Sequence, residues 1–321
     1  MNKLNISLKL LAAMLASTAA SHAAINALTT MPAPLHNPSL PNSANIPTHA
    51  MAADSAGNVY FQQVDHTDRD NDHTIKVYDS SGGFVKTFSL DQFSGTMTLR
   101  INDGKLYAGG GNYTGSIDGY QVYDLDGNYL SSSSGILGHV GQMAFGSQGQ
   151  IAMSHNYGSS YVQAYDLGSS GSLFTASGYV QSQGVAYDSV GNLYTTDPSD
   201  KKIFSYDASG NENWNLSLNY NPWNIEVTES YLYVSVANGR DYLYVYDLNG
   251  SIVGTADLAF SATHLDYNGT NLYVGGYDGI AIFDEDDILN GITTAPVPEP
   301  STYALLFGIA SLAIVARRRL N

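Results

Sequence analysis

The chain has 321 residues and contains no Cys, so disulfides and thiolate metal sites are excluded and stability must come from an apolar core. Its formal net charge is −16, and the segment 24–296, with 8 cationic and 28 acidic residues, carries −20. Such a surface repels nucleic acid and anionic membranes, which excludes polyanions of this kind as partners.

Residues 1–23 have the pattern of a secretory signal peptide. Lys3 and Lys9 supply a positive start, Leu10 to Ala20 form a short apolar core, and Ser21-His22-Ala23 offers small residues for cleavage after Ala23. We therefore predict an exported protein whose fold begins after this segment.

Residues 24–47 form an N-terminal segment rich in Pro, Asn and Ala. One interpretation is a loose linker. The other is that its short run Ile25 to Thr30 forms a β-strand that completes the fold further along the chain.

Residues 48–295 are predicted to form one domain built from six copies of a four-stranded unit. Abundant Tyr and Gly, with no long amphipathic pattern, favour β-strands over helices. The end of the third strand recurs at intervals of 45, 42, 41, 40 and 37 residues. These ends are Tyr78-Asp79, Tyr123-Asp124, Tyr165-Asp166, Tyr206-Asp207, Tyr246-Asp247 and Phe283-Asp284.

A four-stranded unit with a period near ~40 residues is typical of a β-propeller. A single such sheet cannot bury both apolar faces, whereas sheets arranged around a ring bury them against each other. We therefore predict an all-β fold, a six-bladed β-propeller of four-stranded blades. The sixth copy shows no fourth strand after Asp284, and an unpaired edge invites aggregation. Ile25 to Thr30 is predicted to supply that outer strand.

The repeat resembles that of NHL-type and related six-bladed propellers, most clearly over Gly184 to Tyr194 and Ile203 to Gly210. The shared order is an apolar strand, Asp, Gly-Asn, a Leu-Tyr strand, a polar loop and a strand before a Gly turn. This resemblance implies the architecture only, because such propellers include binding scaffolds, interaction platforms, lactonases and lyases.

The C-terminal segment 296–321 resembles a PEP-CTERM sorting tail. Pro298-Glu299-Pro300 is followed by an apolar run, predicted as a transmembrane helix over 301–316, and then by Arg317, Arg318 and Arg319. Sixteen residues are few for a spanning helix of ~20, but three arginines can anchor the end at the cytoplasmic interface.

This second resemblance implies a route and a set of partners. The tail is expected to anchor the protein transiently in the inner membrane of a Gram-negative bacterium, where an exosortase-type enzyme processes it near the motif. The protein is then expected at the cell surface or in the extracellular matrix, in contact with exopolysaccharide or surface proteins.

The loop 65–73 of the first copy is strongly acidic. Asp65, Asp68, Asp70 and Asp72 offer the hard oxygen ligands that Ca²⁺ prefers, although His73 stands where an EF-hand loop needs Gly. The loop is therefore either a Ca²⁺ site or a solvated loop, and no other cofactor is expected.

Polar residues open the first strand of several copies, near one mouth of the predicted central channel. They can line a ligand site or cap strand ends. The residues concerned are His49, Gln142, Gln183, Trp223, Asn224 and His264. Two positions further on, Arg100, Glu226 and Asp266 stand where the other copies have Ala, and a buried charge there requires a partner.

Two function classes follow from these features. The first is a non-catalytic binding or scaffold protein exposed outside the cell. The second is a metal-dependent lactonase-type or lyase-type enzyme acting in the channel. The lactonase relatives use a first-blade carboxylate that is missing here, and Asn156, Asn224 and Asp266 supply part of their ligand set.

Overall fold

In a computed structural model of the chain, the described residues are 27–32, 50–63, 74–90, 96–111, 118–133, 140–155, 161–176, 184–236, 242–258, 260, 262–276 and 279–292. Within these ranges the chain forms twenty-four strands and one short helix, arranged as six antiparallel four-stranded sheets. The six-bladed propeller predicted from the repeat is confirmed.

The six sheets are called blades 1 to 6 in the order of their innermost strands. Blades 1 to 3 contain β2 (Met51–Ala53), β3 (Val59–Gln63), β4 (Thr74–Tyr78) and β5 (Phe84–Ser89); β6 (Thr96–Asn102), β7 (Lys105–Gly111), β8 (Asp118–Asp124) and β9 (Tyr129–Ser132); and β10 (Val140–Phe145), β11 (Gln150–His155), β12 (Tyr161–Asp166) and β13 (Ser172–Ala176). Blades 4 to 6 contain β14 (Val185–Tyr187), β15 (Leu193–Asp197), β16 (Lys202–Tyr206) and β17 (Glu212–Ser217); β18 (Pro222–Val227), β19 (Tyr231–Val236), β20 (Tyr242–Asp247) and β21 (Ile252–Asp257); and β22 (Ala262–Tyr267), β23 (Asn271–Gly276), β24 (Gly279–Asp284) and β1 (Thr29–Pro32).

The apolar core lies between neighbouring blades rather than at one centre. One cluster joins Ile75 of blade 1 to Leu99 and Tyr123 of blade 2. Another joins Met51 of blade 1 to Tyr273 of blade 6, so the ring is closed by packing as well as by strand pairing. Burial between blades explains why both faces of these strands are apolar, since each sheet covers a neighbour on either side.

Most tight turns between strands share one hydrogen-bonding pattern, in which an Asp side chain accepts from backbone N–H groups of its own turn. In blade 4, Asp188 Oδ1 accepts from the backbone N–H groups of Val190 and Asn192, at 3.1 and 2.8 Å, and its Oδ2 accepts from the Asn192 side chain at 2.8 Å. Gly191 adopts φ +95°, which favours glycine at this position of the turn. The repeated Asp and Gly-Asn residues in the sequence are thus turn residues.

The N-terminal segment closes the ring at the outer edge of blade 6. Strand β1 pairs antiparallel with β24, with Thr29 opposite Ile282 and Pro32 opposite Gly279, and Leu28 N–H donates to Ile282 O at 2.8 Å. The predicted strand, Ile25 to Thr30, is therefore displaced toward the C-terminus, and Ile25 lies outside the described residues. A proline fits here because β1 is an edge strand, where one N–H can be missing.

After β24 the chain turns into helix α1 (Glu285–Gly291). Asp284 caps the helix by accepting from Asp286 N–H, and three acidic residues occupy its first turn, where the helix dipole favours them. Ile288 of α1 is buried against blades 5 and 6. None of the helices that the described residues form has the length and apolar character needed to span a membrane.

Three predicted segments fall outside the described residues. They are the signal peptide 1–23, the acidic loop 65–73 with its four Asp residues, and the sorting tail 296–321 with the helix predicted at 301–316.

Candidate functional site

The innermost strands carry a repeated irregularity at the end predicted to form the channel mouth. In blades 2, 3 and 6 one extra residue is inserted, at Met97, Gly141 and Thr263, and blade 5 has the same irregularity between Pro222 and Ile225. Such bulges re-aim the neighbouring side chains. Each of the predicted mouth residues Gln142, Asn224 and His264 lies at one of them.

The described mouth residues are largely buried. Gln142 accepts a hydrogen bond at 3.3 Å from Thr98 Oγ1 of the neighbouring blade. His264 Nδ1 lies 3.4 Å from Thr263 Oγ1, and Asn224 N–H donates to Ser235 Oγ at 3.0 Å. The Asn224 Oδ1 atom is buried without a hydrogen-bond partner among the described residues. These contacts hold strand ends together, and a ligand site at the mouth stays a prediction.

Three other residues complete the account of the predicted mouth. Trp223 is half-buried, and its carbonyl accepts from Thr196 Oγ1 at 2.7 Å. His49 and Gln183 lie outside the described residues. At the equivalent position of blade 4, a Cβ on Gly184 would stand 2.6 Å from the Ile225 backbone nitrogen, so close backbone contact between blades 4 and 5 requires glycine there.

One layer further along the inner strands, three charged side chains meet. We call Arg100, Glu226 and Asp266 the Arg100 cluster. Arg100 Nη1 lies 2.7 Å from Asp266 Oδ1, and Arg100 Nη2 lies 3.1 Å from Glu226 Oε2. The side chains are only 8%, 10% and 14% exposed for Arg100, Asp266 and Glu226. The sequence predicted that Arg100 pairs with a carboxylate; the structure shows that it pairs with both.

The Arg100 cluster joins blades that are not neighbours. Arg100 belongs to blade 2, yet its ion-pair partners belong to blades 5 and 6, so its side chain crosses the centre of the ring. Its Nε donates to Met143 O of blade 3 at 2.8 Å, and its Nη1 also donates to Leu265 O at 3.0 Å. Asp266 Oδ2 accepts from the Ala53 N–H of blade 1 at 2.6 Å. One guanidinium and one carboxylate therefore connect five blades.

Burial sets the electrostatics of the cluster. Loss of water raises the pKa of Glu226 to about 7, although Arg100 opposes this, and Asp266 adds a further rise. Burial also raises the pKa of Asp266 against the opposing effect of Arg100. Burial disfavours the charged form of Arg100, but the two carboxylates outweigh that effect and raise its pKa. Two carboxylates facing one cation leave one negative charge in excess, which protonation of Glu226 removes.

Glu226→Gln is expected to remove a pH dependence of stability. The folded-state pKa of Glu226 is raised to about 7. The stability that this side chain contributes is therefore fully present below its unfolded pKa, near 4.5, and is lost as the pH rises through 7. The gain in unfolding free energy of the variant over the wild type should therefore grow between pH 5 and pH 8, to about 3 kcal/mol at most. Urea unfolding at both pH values measures it.

The matched control is Glu229→Gln, which removes a carboxylate of the same type from the exposed turn before β19. Its unfolding free energy should differ from that of the wild type by the same small amount at both pH values. An equal effect of Glu226→Gln at pH 5 and pH 8 would contradict the assignment.

One of the predicted lactonase-type ligands, Asp266, does not fit a metal at this position. Asp266 has both oxygens engaged, one by Arg100 and one by Ala53 N–H, and the cationic guanidinium stands beside both carboxylates. Asn156 and the Asp residues of the loop 65–73 lie outside the described ranges. Within those ranges, no three His, Asp or Glu side chains come together as a metal site.

The three charged residues could be identified from the sequence, but their backbone partners could not. These partners are the carbonyl groups of Met143 and Leu265 and the N–H of Ala53, and such groups occur in residues of any type. The helix α1 was also missed, although Asp284 followed by three acidic residues is a recognisable helix start.

Comparison with known proteins gives one sequence match. The model of the PEP-CTERM protein-sorting motif matches residues 296–319. The chain thus carries this motif, which marks an exported protein that passes through a membrane-anchored step and is processed by an exosortase-type enzyme. No curated protein matches the chain.

Among solved structures, the chain is similar to the crystal structure of the computationally designed Ika8 protein. The two are 17% identical, the match covers 73% of this chain and 70% of that chain, and the TM-score is 0.49.

Proposed function

We propose that this protein is a non-catalytic binding scaffold, displayed at the cell surface or in the extracellular matrix after its sorting tail has been processed. The observation that carries the proposal is the Arg100 cluster, which occupies the centre of the ring with a structural ion-pair network. A propeller enzyme needs open metal-ligating or acid–base groups in its channel, whereas these groups bind each other.

The energetics of the cluster support a structural role. Every polar group of the Arg100 guanidinium named above faces a carboxylate or a carbonyl, so pulling it away would leave charges buried without partners. A ligand that bound Asp266 or Glu226 would first have to break these buried ion pairs. The surfaces open to ligands are then the channel mouth, the loops and the outer sides of the blades.

The competing class, a metal-dependent lactonase or lyase, is tested by metal analysis of the processed protein. Inductively coupled plasma mass spectrometry after dialysis is expected to find well under one divalent ion per chain. One ion per chain, lost in Asp266→Asn and retained in a surface control such as Asp126→Asn, would overturn the scaffold proposal. Asp126 is exposed and lies in the turn before β9.

The route to the surface is tested at the motif itself. Replacing Pro298, Glu299 and Pro300 by Ala in the native host is expected to leave an unprocessed precursor in the membrane fraction, because the processing enzyme no longer recognises the tail. Immunoblots of membrane, surface and medium fractions measure the distribution.

The control for this experiment is Thr294→Ala, which changes a neighbouring residue outside the matched motif 296–319. It should be processed like the wild type. Normal surface display of the triple-alanine variant would show that the motif does not direct the protein there.

A further inference from the structure

A cavity of about 310 Å³ opens between blades 2 and 3, on the outer side of the ring and away from the channel. Its walls are Lys105 and Tyr107 of β7, the β8 residues Tyr120 and Val122, the strand end 130–133, and the turn 167–169 of blade 3. All of these residues belong to the described part of the chain.

At three other interfaces the corresponding space is filled by an aromatic ring. Phe88 of blade 1 packs on Gly127, Phe174 of blade 3 on Gly210, and Trp214 of blade 4 on Gly250. A Cβ added at these glycines would stand 2.3, 2.5 and 3.2 Å from the ring concerned. Each ring comes from the outer strand of one blade and covers the turn glycine of the next blade.

In blade 3 the equivalent turn position is Ser169, whose N–H donates to Asp166 O as the N–H of Gly127 donates to Asp124 O. The space beside the preceding residue is open, since a Cβ placed on Gly168 would meet nothing within 4 Å. Strand register explains the gap, because Phe174 stands opposite Ala164 and Trp214 opposite Ser205, and the matching position opposite Val122 is Ser131. Blade 2 thus has a serine where blades 3 and 4 have an aromatic ring, and blade 1 has Lys86 at this position, opposite Val77.

The walls of this space carry several hydroxyl groups. Ser131 and Ser132 are exposed on β9, and Ser133 Oγ accepts from Tyr120 N–H at 2.9 Å. Val122 and Leu167 supply apolar surface, and Lys105 adds a hydrogen-bond donor. The site therefore has room for a ring-shaped group, with apolar contact on one side and polar groups at its rim.

A pyranose sugar has this combination of properties, since its C–H groups form an apolar face and its hydroxyls project from the ring edge. An anionic polymer fits less well, because the domain carries −20 overall and Lys105 is the single cationic residue that lines the cavity. The cavity is also at the lower end of the size range of ligand sites, which suits one sugar residue.

We propose that the cavity between blades 2 and 3 binds one neutral pyranose residue of a polysaccharide. The inference rests on the proposed role as a binding scaffold and names its ligand class. It also places the binding surface on the outer side of the ring, where a long polymer can reach it.

The test is saturation-transfer difference NMR of the processed protein with the methyl glycosides of glucose, galactose and mannose. At least one is expected to bind with a dissociation constant on the order of 1 mM, as suits a ligand of this size. Ser131→Phe, which introduces the aromatic side chain that blades 3 and 4 have at this position, should weaken binding at least tenfold. Its melting temperature should equal or exceed that of the wild type, because the ring fills a cavity.

The matched control is Ser217→Phe, which adds the same side chain at an exposed position of β17 in blade 4. It should leave sugar binding unchanged. If Ser131→Phe melts well below the wild type, Ser131→Leu replaces it in the same comparison.

Three results would overturn the inference. They are no binding of any of the three glycosides, binding that Ser131→Phe leaves intact, and self-association of the chain that Ser131→Phe abolishes in the absence of sugar binding. The last result would assign the cavity to an aromatic side chain of a second copy. None of them bears on the metal content, which tests the scaffold proposal separately.

Discussion

Arg100→Met is expected to lower the unfolding free energy at pH 8 by about 3–5 kcal/mol, because Glu226 and Asp266 then remain buried without a cation. For a domain of this size that corresponds to a fall in melting temperature of about 6–20 °C. The loss should be smaller at pH 5, where burial has already favoured the protonated form of Glu226. Thermal melts at both pH values measure the effect.

The matched variant removes all three charges together. Arg100→Met combined with Glu226→Gln and Asp266→Asn leaves no buried ion, so it should melt well above the single variant. Arg100→Lys should fall between the wild type and Arg100→Met, since an ammonium cannot reproduce the fork that contacts Asp266, Glu226 and Met143 O. A single Arg100→Met variant that melts within 2 °C of the wild type would show that the cluster does not hold the blades together.

Deletion of residues 24–32 is expected to lower the melting temperature by about 8–16 °C. The deletion removes strand β1 and exposes the edge of β24, with the loss of roughly four backbone hydrogen bonds of about 1 kcal/mol each. The unpaired edge should in addition make the truncated protein aggregate at lower concentration.

Two controls separate strand pairing from a general effect of truncation. Deletion of 24–26 alone leaves β1 in place and should not change the melting temperature. A synthetic peptide of residues 27–35, added to the truncated protein, should raise its melting temperature by occupying the vacant edge. Equal melting temperatures of the truncated and full proteins would show that β1 does not close the ring.

The repeat could be recognised in the sequence because its turns require particular residue types, namely Asp, Gly and Asn. An Asp that accepts from its own turn, followed by a Gly with positive φ and an Asn, occurs at Asp54, Asp124, Asp188 and Asp207 with the same hydrogen bonds. Such local chemistry depends on residue type and spacing, both of which a sequence displays directly. The need for a closing strand followed from counting strands in the sixth copy.

The exact position of the closing strand was harder to predict from the sequence. Thr29 to Pro32 pairs with β24, whereas the apolar run Ile25 to Thr30 favoured an earlier position. At an edge, one side of a strand faces solvent and the hydrophobic pattern is weak, so register depends on the partner strand.

One can predict from the sequence the number of blades, the four strands of each, the need for closure and the sorting tail, because these depend on local patterns that repeat along the chain or stand at its end. Which side chains meet in the ring depends on how the blades pack in three dimensions. Arg100 reaches Asp266 across 166 residues of sequence because the inner strands of blades 2 and 6 border the same central space. The open space beside Gly168 likewise exists because packing brings Ser131 close to a turn in the next blade, and no local pattern of the sequence predicts which neighbour a side chain will cover.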